Sequence, residues 1–134
     1  MLTDLSTVPV SKATLRIGHT LSIIAVLFLL FDSAIHIIQI KPVVDSFAQL
    51  GYPLGTALTL GILELLCVIL YVIPRTSVLG AILLTGYLGG AIATQVRVDS
   101  PLLSTALFPV YLGILIWGGL YLRNPSLRRL IPFS

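Results

Sequence analysis

Charge is what this chain has least of. Only 10% of its 134 residues are Asp, Glu, Lys or Arg, against about 25% in soluble domains. So few charges exclude a water-covered globular surface. With 57% of the residues hydrophobic, lipid must cover most of the exterior. Cysteine is nearly absent too. Cys67 stands alone, which excludes an intrachain disulfide and an autonomous dithiol relay, and it reads as a small apolar filler in a helix. Although the formal charge is +3, no basic cluster is interleaved with aromatics, so no nucleic-acid partner is expected. The chain also lacks a nucleophile motif, a cofactor fingerprint, and any His-x-x-x-His or Glu-x-x-His spacing. Asp32, His36 and Glu64 could supply three metal ligands, but without such spacing no metal site is assigned. No residue is assigned as catalytic. The first apolar run is too long for a signal-peptide core, so no cleaved leader is expected.

What the chain does have is four apolar runs, Ile17–Ile40, Leu54–Ile73, Val78–Val96 and Leu102–Leu122. Each has the length a helix needs to cross about 30 Å of hydrocarbon. Lys41-Pro42, Gly51-Tyr52-Pro53, Pro74-Arg75-Thr76-Ser77, Arg97 to Pro101 and Asn124-Pro125 separate or close them, and Ser77 reads as an N-cap. Short connections predict an antiparallel up-down bundle. The fold class is therefore an all-α integral membrane protein, one four-helix domain over residues 1–134. Lys12, Arg16, Arg75, Arg123, Arg128 and Arg129 lie on one side, Lys41 and Arg97 on the other. This asymmetry predicts that both termini are cytoplasmic. Between the first two runs, Val44, Phe47 and Leu50 repeat at helical spacing. A short interfacial helix and an irregular linker both fit that segment.

The polar residues inside the runs carry the functional argument. An ionisable group at membrane depth costs about 2.5–3.5 kcal/mol on insertion scales, so Asp32 and Glu64 each mark a candidate site. Asp32, His36 and Gln39 fall at i, i+4 and i+7 on one helix face. Counting about 1.5 Å per residue from the outer boundary places Asp32 about 12 Å deep, Glu64 about 15 Å, Tyr111 about 13 Å and His36 about 6 Å. Gln95 and Arg97 belong to the rim, and Ser104 and Thr105 begin the fourth run on the same side. The pattern predicts a polar cup in the outer half, floored by Asp32 and Glu64, above an almost purely apolar inner half. Its candidate ligand-binding residues are Asp32, His36, Glu64, Gln95, Arg97 and Tyr111. The competing reading is structural: an Asp32–His36 pair and interhelical hydrogen bonds that hold the bundle together, worth about 0.6 kcal/mol each. In the third run Gly86, Gly90 and Thr94 form a small-residue ridge, which suits close helix packing inside the bundle or a homodimer face. Tyr71, Trp117 and Tyr121 read as interface anchors.

The stretch YVIPRTSVLGAILLTGYLGGAIATQVR (Tyr71–Arg97), followed by LFPVYLGILIWGGLYLRNP (Leu107–Pro125), resembles the DoxX-like family, and the resemblance extends from about Phe31 to the C-terminus. It implies a small four-helix bacterial membrane protein of the DoxX/DoxD superfamily. Relatives include a subunit of a thiosulfate:quinone oxidoreductase, partners in membrane redox complexes and, more distantly, an assembly factor for nicotinic receptors. Many members carry Lys where this chain has His36 and His where it has Gln95. His36 keeps a base beside Asp32, whereas Gln95 cannot shuttle a proton, which weighs against catalysis.

Three functions are then expected. The first is a multi-pass accessory module of the bacterial inner membrane, binding a small quinone- or lipid-like molecule without a covalent cofactor and serving a membrane redox partner. A mostly apolar pocket with a few convergent polar groups suits such a ligand. The second is a membrane enzyme using Asp32 and Glu64 as an acid–base pair on a lipid-like substrate. The third is an assembly factor that presents helix faces to another membrane protein.

Overall fold

The computed structural model describes residues 11–53 and 55–132. The two ends of the chain, and Leu54 where the second run begins, lie outside the described residues. Six α-helices are found among those residues: α1 (Lys12–Ile38), α2 (Lys41–Gln49), α3 (Thr56–Val72), α4 (Ser77–Arg97), α5 (Phe108–Arg123) and α6 (Pro125–Leu130). Ser11 caps α1, its side chain accepting from the Thr14 amide at 3.1 Å. Helices α1, α3, α4 and α5 close into a ring: α1 packs on α3 and α5, and α4 packs on α3 and α5.

Each helix buries one narrow stripe and turns the rest outward. In α1 the stripe is Gly18, Ser22, Ala25, Leu29 and Ser33; in α3 it is Ala57, Gly61, Glu64, Val68 and Tyr71. These spacings of three and four residues define one helical face. Ile23, Leu27, Phe31 and Leu66 are all more than half exposed, as side chains facing acyl tails should be. Helices Lys12–Ile38, Pro74–Arg97 and Leu102–Arg123 are long and apolar enough to cross a membrane; Thr56–Val72 is apolar but has only 17 residues.

Small residues set the closeness of the ring. A Cβ on Gly61 would fall 2.8 Å from His36 Cβ and 3.1 Å from the Ile37 amide nitrogen, and a Cβ on Gly119 would fall 2.8 Å from the Ser22 amide nitrogen. These contacts, not the ridge on α4, bring the helices together. A Cβ on Gly86 or Gly90 would meet nothing within 4 Å, so the packing expected of them inside the bundle falls elsewhere.

Other local expectations are corrected. Ser77 is the first residue of α4, preceded by Thr76, and its hydroxyl donates back to the carbonyls of Tyr71 (2.8 Å) and Ile73 (3.0 Å). Gln39 does not extend the α1 stripe: it takes a left-handed conformation (φ 58°) that ends the helix. Tyr71 is no interface anchor. It is 1% exposed, and its hydroxyl meets Ser22 Oγ and the Ile116 carbonyl, each at 2.8 Å. Arg123 reaches Ser22 Oγ at 3.0 Å and lies 5.3 Å from the Tyr71 ring centre. The half of the bundle opposite α2 therefore holds its own polar cluster and is not purely apolar. The segment Lys41–Gln49 is helical, which decides the open choice for that connection.

The fourth run is not one continuous helix. Leu102–Ala106 forms a π-helical turn, with Ala106 N bonded to the Pro101 carbonyl and Leu107 N to the Leu102 carbonyl, and α5 begins at Phe108. Pro109 has no N–H to continue an α-helical ladder through this point. The wide turn leaves the Leu103 carbonyl to a side chain, and Tyr111 Oη donates to it at 2.8 Å.

Candidate functional site

A cavity of about 640 Å³ opens at the end of the bundle that carries α2. Its floor is Asp32 on α1 and Glu64 on α3. Its walls include Phe28 and His36 of α1, Gly86, Tyr87, Gly90, Thr94 and Gln95 of α4, and Ser104, Thr105 and Phe108 of the α5 approach. Helix α2 supplies Ser46 and Phe47 from above.

The floor forms because the sequence puts Gly61 one turn before Glu64. The missing side chain lets α3 lie against His36 and Ile37 of α1, which brings the acids of both helices into reach. One donor atom from each of Asp32, His36 and Glu64 lies within 4.8 Å of the others. Glu64 is 0% exposed. Its Oε2 accepts from Tyr87 Oη at 3.2 Å, while Oε1 has no hydrogen-bond partner. Nearly all buried polar atoms in folded proteins are paired, so this oxygen stands out. His36 Nδ1 donates to the Asp32 backbone carbonyl at 2.5 Å and lies 3.5 Å from Asp32 Oδ2. The expected contact of this pair exists, and the same ring nitrogen also bonds the backbone carbonyl.

The roof is tied across the mouth. The His36 and Phe47 rings meet edge to face at 5.4 Å, Phe47 lies 5.2 Å from Tyr52, and the Tyr52 hydroxyl bonds Thr94 Oγ1 at 2.6 Å. Arg97 donates to the Leu50 carbonyl. Phe28 and Phe108, 5.2 Å apart, face each other on the side wall.

Of the six residues read from the sequence, the fold brings Asp32, His36, Glu64 and Gln95 to one cavity. Gln95 Oε1 accepts from Ser100 Oγ at 2.6 Å. Arg97 and Tyr111 are not among the lining residues. Arg97 fastens the α2–α3 connection, and Tyr111, 43% exposed, is spent on the Leu103 carbonyl freed by the π-turn. Gly86, Gly90 and Thr94 do line it, as open wall. The residue missed is Tyr87, whose hydroxyl donates to Glu64. A signal existed: Tyr87, Ala91 and Thr94 fall at i, i+4 and i+7, which puts two hydroxyls on one face of α4.

Chemically, the cavity offers an apolar aromatic volume with two carboxyl groups, an imidazole and an amide at one end. It can receive a ring or chain with a polar head. Comparison with known proteins gives one finding: the model of the DoxX-like family matches residues 20–119. No curated protein and no solved structure matches the chain.

Proposed function

The chain belongs to the DoxX-like family and is a membrane protein, and from that premise we propose that it is a binding module for a small lipophile, quinone- or lipid-like, held in the α2-capped cup. The observation that carries this reading is Glu64 Oε1, fully buried, unpartnered and at the floor of a cavity of about 640 Å³. Ligand pockets are mostly apolar with a few oriented polar groups and span about 300–1,000 Å³. A hydroxyl or carbonyl-bearing head would meet Glu64, Asp32, His36 and Gln95, while Phe28, Phe47 and Phe108 would flank its ring or chain.

In this reading the protein is a single domain that crosses the bacterial inner membrane four times, α3 included, with both termini in the cytoplasm and the cup in the outer leaflet. The Lys and Arg asymmetry supports that orientation. It would serve a membrane redox partner, with the electron chemistry done by that partner. A second reading, association through a helix face, is favoured by one observation. Gly89, which lies outside the cavity lining, has open space above it, and small residues on a helix face let a second membrane helix approach closely. That helix would belong to a second copy or to a client protein.

The lipophile reading is tested by purifying the full chain from its membrane and identifying extracted small molecules by mass spectrometry. The wild type is expected to retain a stoichiometric lipophile that Asp32→Asn and Glu64→Gln lose. Equal retention by all three proteins, or none by any, sinks the reading.

A further inference from the structure

Two carboxyl groups share the floor of the cup, and no Lys or Arg lines it; His36 is its one basic side chain among the described residues. Arg97, the nearest candidate by sequence, is engaged with the Leu50 carbonyl. Facing carboxylates in a medium of low dielectric constant need compensation from a cation or from protons. The geometry points to a cation: we propose that Asp32, His36 and Glu64 form a binding site for one divalent transition-metal ion.

Three observations support this independently of one another. The donors are close: one atom from each residue lies within 4.8 Å of the others. Metal–ligand bonds of about 2.0–2.2 Å place tetrahedral donors about 3.3–3.6 Å apart, a distance small side-chain rotations can reach. One donor is waiting: Glu64 Oε1 is fully buried and unpartnered while Oε2 is fixed by Tyr87. The imidazole is oriented: Nδ1 bonds the Asp32 carbonyl at 2.5 Å, so Nε2 is the ring nitrogen left for an ion. Metal-bound histidines are oriented by this kind of backbone hydrogen bond.

The donor set selects the class of ion. One imidazole nitrogen with two carboxylates suits Zn²⁺, Mn²⁺ or Fe²⁺, whereas Mg²⁺ and Ca²⁺ favour oxygen alone. The two carboxylates balance the ion's charge. Three protein ligands leave at least one coordination position for a water molecule or for an oxygen atom of a molecule in the cup. No helical metal spacing announces the site because its ligands come from α1 and α3, joined by the Gly61 contact.

The site does not require the lipophile reading, and its test is separate. The full-length chain in nanodiscs, stripped with chelator, is titrated with Co²⁺ and then with Zn²⁺. The wild type is expected to bind one Co²⁺ per chain with visible ligand-field bands, which Zn²⁺ abolishes. His36→Gln and Glu64→Gln should each weaken binding at least about tenfold, and His19→Gln, on the far part of α1, should leave it unchanged. Thermal melting of each variant reports its folding, and if Glu64→Gln does not fold, His36→Gln decides alone. The proposal is overturned if the wild type takes up no stoichiometric Co²⁺, if binding survives His36→Gln, or if His19→Gln is the substitution that removes it. Metal uptake without lipophile retention would leave this site standing and remove the lipophile reading.

Discussion

Glu64 is held asymmetrically. One carboxyl oxygen takes the Tyr87 hydroxyl at 3.2 Å and the other takes nothing. Tyr87→Phe would remove the hydroxyl that donates to Glu64 Oε2. Hydrogen bonds between membrane helices average about 0.6 kcal/mol and reach about 1.7, and the unmet acceptor adds to the cost. A loss of about 1–2 kcal/mol is therefore expected, read as a lower melting temperature in detergent; an unchanged melting temperature would mean that the bond contributes nothing. The acids themselves were legible because an ionisable residue in an apolar run is conspicuous against its surroundings. Tyr87 was not, since a tyrosine in a glycine-rich helix looks like any other bulky wall residue, and only its register with Thr94 marks it. Tyr111 and Arg97 were misplaced for different reasons. The π-turn gives Tyr111 a carbonyl to satisfy, and a rim arginine finds a nearby backbone acceptor sooner than a distant carboxylate.

Among the helices, the glycines divide into two kinds that composition cannot tell apart. Gly61 lies against α1, while Gly86 faces open space. Gly61→Ala forces its methyl into His36 and Ile37, and overpacking of this sort costs about 1–3 kcal/mol. Gly86→Ala meets nothing and gains up to about 1 kcal/mol of helix propensity. Thermal melting of the two variants should therefore move in opposite directions or, at the least, fall only for Gly61→Ala; equal falls would refute the assigned roles. Helix positions were readable because a run of some twenty apolar residues is a strong signal. The break at Leu107 was not, because Pro109 is tolerated in the first turn of a helix as readily as it interrupts one.

For the molecule as a whole, the ring of α1, α3, α4 and α5 follows from short connections, and the proposed sidedness rests on where Lys and Arg fall. Sidedness is checked with single cysteines in a Cys67→Ser background. Asp99→Cys should react with an impermeant maleimide in intact cells and Ser126→Cys only after permeabilisation; the reverse pattern inverts the topology. Which residues meet across the ring was beyond the sequence, because it depends on where the small residues let two helices touch. The helices of the ring are also unequal. At about 1.5 Å per residue, the 27 residues of α1 run about 40 Å and the 17 of α3 about 25 Å. If α3 crosses as proposed, a hydrocarbon slab about 30 Å thick cannot match both, so α1 would lean and the lipid beside α3 would thin, at fractions of a kcal/mol per ångström. Headgroups and water would then dip toward the helix that carries Glu64, and bilayer thickness itself would set how wet the floor of the cup becomes.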